Sequence, residues 1–157
     1  MLYYYISYDK NENVEVDVMP KTVTKSKLVE NLRSIVDNSR THTVACDLPV
    51  AKGGNDTGPT ALELAIMALS DCAVTIFAQV AKKSNLDVKS IEVITEAEKP
   101  DNSPILENVK MKVKVAAKAR KQLIEAVWRR TEANCPVVKI FTEPIPVEIE
   151  LTAETVE

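Results

Sequence analysis

The run TALELAIMALSDCAVTIFAQVAKK, residues 60–83, decides the fold. It is helix-length and apolar nearly all the way round, so a helix built from it must be buried on most of its sides. A membrane span needs about 20 consecutive, largely uncharged residues. Glu63 and Asp71 interrupt the apolar run, and the segment reads as a core helix. A single small protomer offers too little surface to cover such a helix. A partner subunit is therefore expected to supply part of the cover.

Immediately before this helix, KGGNDTGPT at residues 52–60 holds all three glycines of the chain. The most permissive backbone is thus concentrated in one loop, as a tight turn or a close approach of backbone to a ligand requires. No Gly-Lys-Ser/Thr follows to hold phosphate and magnesium, which excludes a Walker loop. Further upstream, Thr41–Asp47 reads as a strand. Between Lys25 and Asn38 the apolar residues Leu28, Val29, Leu32, Ile35 and Val36 fall on one helical face, and a helix is expected there. Val14, Val16 and Val18 alternate with Glu15 and Asp17 in the two-residue period of a strand, and a hairpin across DKNEN joins them to the aromatic stretch Tyr3–Tyr8.

Downstream, Ile91, Val93 and Thr95 alternate with Glu92 and Glu96, and Val109, Met111, Val113 and Val115 alternate with Lys110, Lys112 and Lys114. These are two half-solvated strands joined by a Pro/Asn/Asp-rich turn. Leu123, Ile124, Val127, Trp128 and Thr131 form the buried stripe of an amphipathic helix. It ends near Cys135, because Pro136 disfavours helix at the residue before it. Val147, Ile149 and Leu151 make a closing strand. The order ββ(α)β, long helix, ββ, helix, β is an α+β arrangement of antiparallel sheets on two helices. At 157 residues it fits a single domain, 1–157.

A net charge of −3 gives no electrostatic reason to approach nucleic acid or an anionic membrane surface, and neither partner is expected. MLYYYISYDK lacks the basic and apolar regions of a secretory signal, so a cytoplasmic protein is expected. In a reducing compartment, three cysteines without a dense framework are core fillers or redox groups rather than staples. One histidine, His42, and no CxxC leave too few ligands for a zinc site, and no metal is expected.

Cys72 lies near the middle of the long helix, where it is either a small core hydrophobe or a reactive sulfur. Apolar burial raises a thiol pKa, and a mid-helix position cannot draw on the helix N-terminus, so a reactive Cys72 needs a cation from elsewhere. Cys135, in NCPV, sits where the chain changes direction. Cys46, inside THTVACD, reads as core filler.

GGNDTGPTALELAIMALSDC, followed some sixty residues later by NCPV, resembles the family of osmotically inducible protein C and organic hydroperoxide resistance proteins, over roughly residues 40–152. The resemblance implies an OsmC-like fold: an intertwined homodimer with the Cys-bearing helices central and antiparallel sheets wrapped around them. It also implies a thiol peroxidase that acts on organic hydroperoxides and needs no cofactor beyond an external dithiol reductant. Cys72 matches the attacking cysteine and Cys135 the resolving one. The family also uses an arginine and a glutamate beside the sulfur, for which Arg40 and Glu63 are the candidates. Arg120, Arg129 and Arg130 share their helix with acidic residues and read as solvated charges.

Several residues depart from the family pattern. Leu62 stands where the hydroperoxide-resistance branch has its glutamate, Ala61 replaces a second proline of the loop, and NCPVVKIF lacks a polar residue common after CPV. Nine steps of 100° place Glu63 on the helix face opposite Cys72, and Thr60 with Glu63 matches a capping box. The chain thus falls in the broad OsmC-like branch. Two other readings stay open: a dimer of the same fold that binds a small apolar or thiol ligand without turnover, and a redox sensor.

Overall fold

A computed structural model describes residues 21–143 and 145–156. The aromatic stretch, the DKNEN hairpin and the Val14–Val18 strand lie outside the described residues. The chain is α+β, with two antiparallel sheets and three α-helices among the described residues. Strands β1 (Lys25–Glu30), β2 (Arg33–Asp37) and β3 (Thr43–Cys46) form the first sheet in that order. Helix α1 (Ala61–Lys83) follows, then the hairpin β4 (Val88–Glu98) and β5 (Glu107–Ala117), then α2 (Lys121–Asn134) and α3 (Pro136–Thr142).

The helix expected over Lys25–Asn38 is instead the β1–β2 hairpin. Asn31 at its turn has φ 47°, a left-handed conformation that ends any helix and that asparagine tolerates better than most residues. β-Branched Ile35 and Val36 then pair across to Ala45 and Val44 of β3. The strand ladder, supplied from outside the segment, overrides an ambiguous local period. A second correction concerns the closing strand. Val147, Ile149 and Leu151 have no strand partner among the described residues, and at 79%, 89% and 86% exposure their apolar row lies open.

The β4–β5 hairpin follows its alternation. Ile91, Val93, Thr95, Met111, Val113 and Val115 turn inward, while Lys112 and Lys114 face out to Glu96 and Glu92 at 2.7 and 3.5 Å. The inner face packs on α1, and Phe77, Ala81, Leu86 and Val127 form the core where α1, α2 and this hairpin meet. The Phe77 and Trp128 rings pack there at 6.3 Å between centroids. Leu123, expected in the buried stripe of α2, is exposed, and Ile124, Val127, Trp128 and Thr131 make the stripe alone.

By length and composition α1 could cross a bilayer, but it packs on β4, α2 and α3. Within the chain it buries one stripe, Leu69, Ala73, Phe77 and Ala81, spaced every four residues. Leu62 and Met67 remain exposed on other sides. The first sheet is similarly bare: among the described residues no helix packs substantially against it, and Leu28, Val29 and Val44 are exposed.

The glycine-rich loop closes on Asp47, whose carboxylate is buried. It accepts the Leu48 and Asn55 backbone N–H groups at 2.8 and 3.2 Å, and the Thr57 N–H and hydroxyl at 3.2 and 2.8 Å. Arg33 of β2 approaches the same carboxylate at 4.0 Å. The Thr57 hydroxyl, aided by these amides and opposed by desolvation, holds the Asp47 carboxyl below the usual aspartate range. A Cβ at Gly54 would sit 1.9 Å from the Leu48 carbonyl oxygen, and one at Gly58 would sit 2.2 Å from that of Ala45. Of the two readings of the glycines, the close approach is to the chain's own backbone. Gly53 has a left-handed backbone, φ +86°, and a Cβ there would make only an ordinary contact, 3.6 Å from Leu32 Cδ1.

These differences rank the glycines. In urea unfolding, Gly53→Ala is expected to cost about 1–2 kcal/mol through backbone strain alone. Gly54→Ala and Gly58→Ala are each expected to cost more, about 3 kcal/mol, because backbone must move.

Candidate functional site: a pair of cysteine sulfurs

Thr60 and Glu63 fix the start of α1. The Glu63 amide donates to Thr60 Oγ1 at 3.1 Å, and the Thr60 amide donates to Glu63 Oε2 at 2.7 Å, which completes a capping box. These bonds, the Thr60 amide foremost, hold the Glu63 carboxyl below the usual glutamate range. From this fixed start the helix carries Cys72 to its middle, beside the buried stripe.

Cys135 comes to Cys72 from the other side. It sits between α2 and α3 with φ −82° and ψ 107°, an extended residue between two helices. Pro136 explains both: it keeps the preceding residue out of the helical region, and it starts α3 where its missing N–H costs nothing. The sequence reading used only the first of these properties and missed α3. The turn leaves Cys135 buried, with its Sγ 2.9 Å from the Sγ of Cys72. No disulfide joins them; all three cysteines are free.

The pair is apolar and short of positive charge. Desolvation foremost, then the hydrogen bond shared with Cys135, push the Cys72 thiol up, with smaller contributions from the charges of Cys135 and Asp71. The Val137 backbone N–H at the start of α3 acts in the opposite sense. Among the described residues no hydrogen bond or ion pair brings a cation to either sulfur.

The four residues singled out from the sequence therefore separate. Cys72 and Cys135 are brought together. Glu63 is engaged with Thr60 at the helix start. Arg40 lies in the exposed β2–β3 turn, where its backbone N–H donates to Asn38 Oδ1 at 3.1 Å. Cys46 is buried at the end of β3, next to Asp47. The sequence reading passed over Asp47; a carboxylate directly before a glycine-rich loop is the signal that could have marked it.

Beside the pair, an apolar trough of about 880 Å³ opens between the inner face of β5 and the three helices. Leu69, Met111, Val113, Trp128, Val138 and Phe141 line it, and Cys135 lies in its wall. This size suits a small organic molecule with an apolar body. The dithiol can donate two electrons by forming a disulfide, or hold a soft electrophile between its sulfurs.

The fold and the paired sulfurs define a class of α+β proteins built around a cysteine-bearing core helix. The chain belongs to the OsmC-like protein family, whose pattern matches residues 53–150. No curated protein sequence matches it. Among solved structures it is similar to an OsmC-like protein from Mycoplasma pneumoniae, with a TM-score of 0.71 at 12% identity, covering 80% of this chain and 89% of that one. A protein described as a putative osmotic stress induced and detoxification response protein from Psychrobacter arcticus 273-4 gives 0.67 at 17% identity, with coverages of 80% and 91%. An organic hydroperoxide resistance protein from Elizabethkingia anophelis, with thiocyanate bound, gives 0.62 at 13% identity, with coverages of 82% and 93%.

The raised thiol has a directional test. In the reduced protein, alkylation of Cys72 by iodoacetamide is expected to follow an apparent pKa above the ordinary value of about 8.5. In Cys135→Ala, which removes two of the influences that raise it, the midpoint is expected to move down. Because the native state favours the neutral Cys72 thiol, that thiol's contribution to stability is present below about pH 8.5 and is lost as pH rises toward the higher folded value.

Proposed function

We propose that the chain is a two-cysteine thiol peroxidase that reduces organic hydroperoxides. The observation that carries this reading is the 2.9 Å approach of Cys72 and Cys135 beside an apolar trough. The Cys72 thiolate attacks the terminal peroxide oxygen and the O–O bond breaks. The alkoxide leaves with the electron pair and takes a proton to become the alcohol, and Cys72 becomes a sulfenic acid. The Cys135 sulfur then attacks Cys72, hydroxide leaves and is protonated to water, and a disulfide remains. An external dithiol reduces it by exchange, so the cycle needs no cofactor or metal. The trough would hold the organic part of the substrate. Membership of the OsmC-like family, and likeness of fold to proteins named for organic hydroperoxide resistance, support the assignment.

The activating cation belongs to the same proposal. Arg40 is the candidate, brought by a second subunit, because within its own chain it sits in an exposed turn of a sheet that no helix covers substantially among the described residues. Glu63 would assist only by leaving its capping partner. A homodimer is supported by three unpartnered features: the bare first sheet, the open sides of α1 and the apolar row at the C-terminal end. We place the protein in the cytoplasm, in the response to oxidative stress, away from nucleic acid and membrane.

Two measurements test this. One equivalent of cumene hydroperoxide added to the reduced protein should give a rapid Cys72–Cys135 disulfide on peptide mapping, and a Cys72 sulfenic acid in Cys135→Ser. Unreacted Cys72 would leave a packed core residue and favour ligand binding without turnover, the reading that its raised pKa supports. Sedimentation equilibrium should give twice the chain mass, and a Met67→Glu substitution on the open side of α1 should shift it toward monomer.

A further inference from the structure

We propose that Cys72 and Cys135 form a chelating site for trivalent organoarsenicals, with the organic group lodged in the apolar trough. The argument starts from the separation of the sulfurs. At 2.9 Å they are too far apart for the roughly 2.05 Å of a disulfide, yet closer than the roughly 3.8 Å between two thiolates on tetrahedral zinc, whose Zn–S bonds are near 2.3 Å. A pyramidal trivalent arsenic atom, with angles narrower than tetrahedral, holds two sulfurs between those limits, so the pair must open to take it but less than it would for zinc.

The ligand count points the same way. Among the described residues no cluster of three or more His, Cys, Asp or Glu side chains surrounds the pair, so zinc would be left short of its usual four ligands. An arsenical that already carries one carbon needs only two sulfurs. The trough then distinguishes an organic arsenical from inorganic arsenite. Cys135 shares its wall with Leu69, Trp128 and Phe141, and an aryl group bonded to arsenic has apolar surface to bury there.

The chemistry also runs from neutral thiols, the form that burial favours at Cys72. An arsenoxide, R–As=O, reacts with two S–H groups. Both S–H bonds and the As=O bond break, two As–S bonds form, and the two protons leave with the oxygen as water. Arsenic stays trivalent and both sulfurs keep their oxidation state, so no oxidant, reductant or activating cation is required. The site uses the proposed peroxidase's sulfur pair but does not depend on thiolate attack on a peroxide, and each can fail without the other.

The test is titration of the reduced full-length protein with phenylarsine oxide, read by intact mass, free-thiol count and the fluorescence of Trp128, the chain's single tryptophan. Expected are uptake of one arsenical per chain, loss of two thiols and a change in Trp128 emission, reversed by a dithiol and not by an equal concentration of a monothiol. Cys135→Ser and Cys72→Ser should each weaken binding by about 100-fold, as loss of a tethered second ligand does. Cys46→Ala should bind as the unsubstituted protein does, and arsenite should bind more weakly than the aryl compound. The disulfide form of the unsubstituted protein, which keeps the native side chains, should take up none. Uptake that survives in that form, that needs Cys46, or that leaves Trp128 emission unchanged would overturn the proposal.

Discussion

A 23-residue apolar helix must find cover, and the rest of the structure is arranged around that requirement. The chain meets it on one side only. The β4–β5 hairpin and α2 close over Leu69, Ala73, Phe77 and Ala81, and there the core is complete. Hydrophobic burial is worth roughly 25 cal/mol per Å² of apolar surface, so the open sides of α1, the bare first sheet and the apolar C-terminal row together hold a large unused stabilisation. All three are left uncovered among the described residues, and they are the ground on which the proposed dimer rests.

What prevents the helix from sliding within this incomplete cover is a polar device. Asp47 gathers the loop from Leu48 to Thr57 by hydrogen bonds that burial shields from water. Thr60 and Glu63 then start α1 at a defined residue. Because each residue advances a helix by about 100°, an error of one residue here would turn Cys72 away from Cys135. The glycines matter to Cys72 and Cys135 through this chain of consequence.

Much of the fold was legible because its period is imposed locally. Ile91–Thr95 and Val109–Val115 alternate strictly, and the Thr60 to Lys83 run admits little but a buried helix. The segment Lys25–Asn38 was misread because its apolar residues satisfy a helical face, while the pairing that makes it sheet comes from β3, which a local window does not contain. The C-terminal row at Val147, Ile149 and Leu151 has strand character in sequence and no strand partner among the described residues, since alternation shows what a segment can pair with and not whether a partner is present. At the site, motif and spacing named both sulfurs. They could not give the cation: among the described residues no hydrogen bond or ion pair brings one to either sulfur.

The contact between Cys72 and Cys135 spans 63 residues of sequence, and this ties redox state to folding. Folding holds the two thiols at a far higher effective concentration than the unfolded chain does, so the native state favours any bond between them. By thermodynamic reciprocity such a bond favours the native state, and closing a loop of this length is worth about 4 kcal/mol in the chain-entropy description. That is a large share of the roughly 5–15 kcal/mol that separates folded from unfolded domains. A reductant that opens the bond therefore acts against the fold as well as against the disulfide, and the oxidised protein is the harder of the two forms to melt.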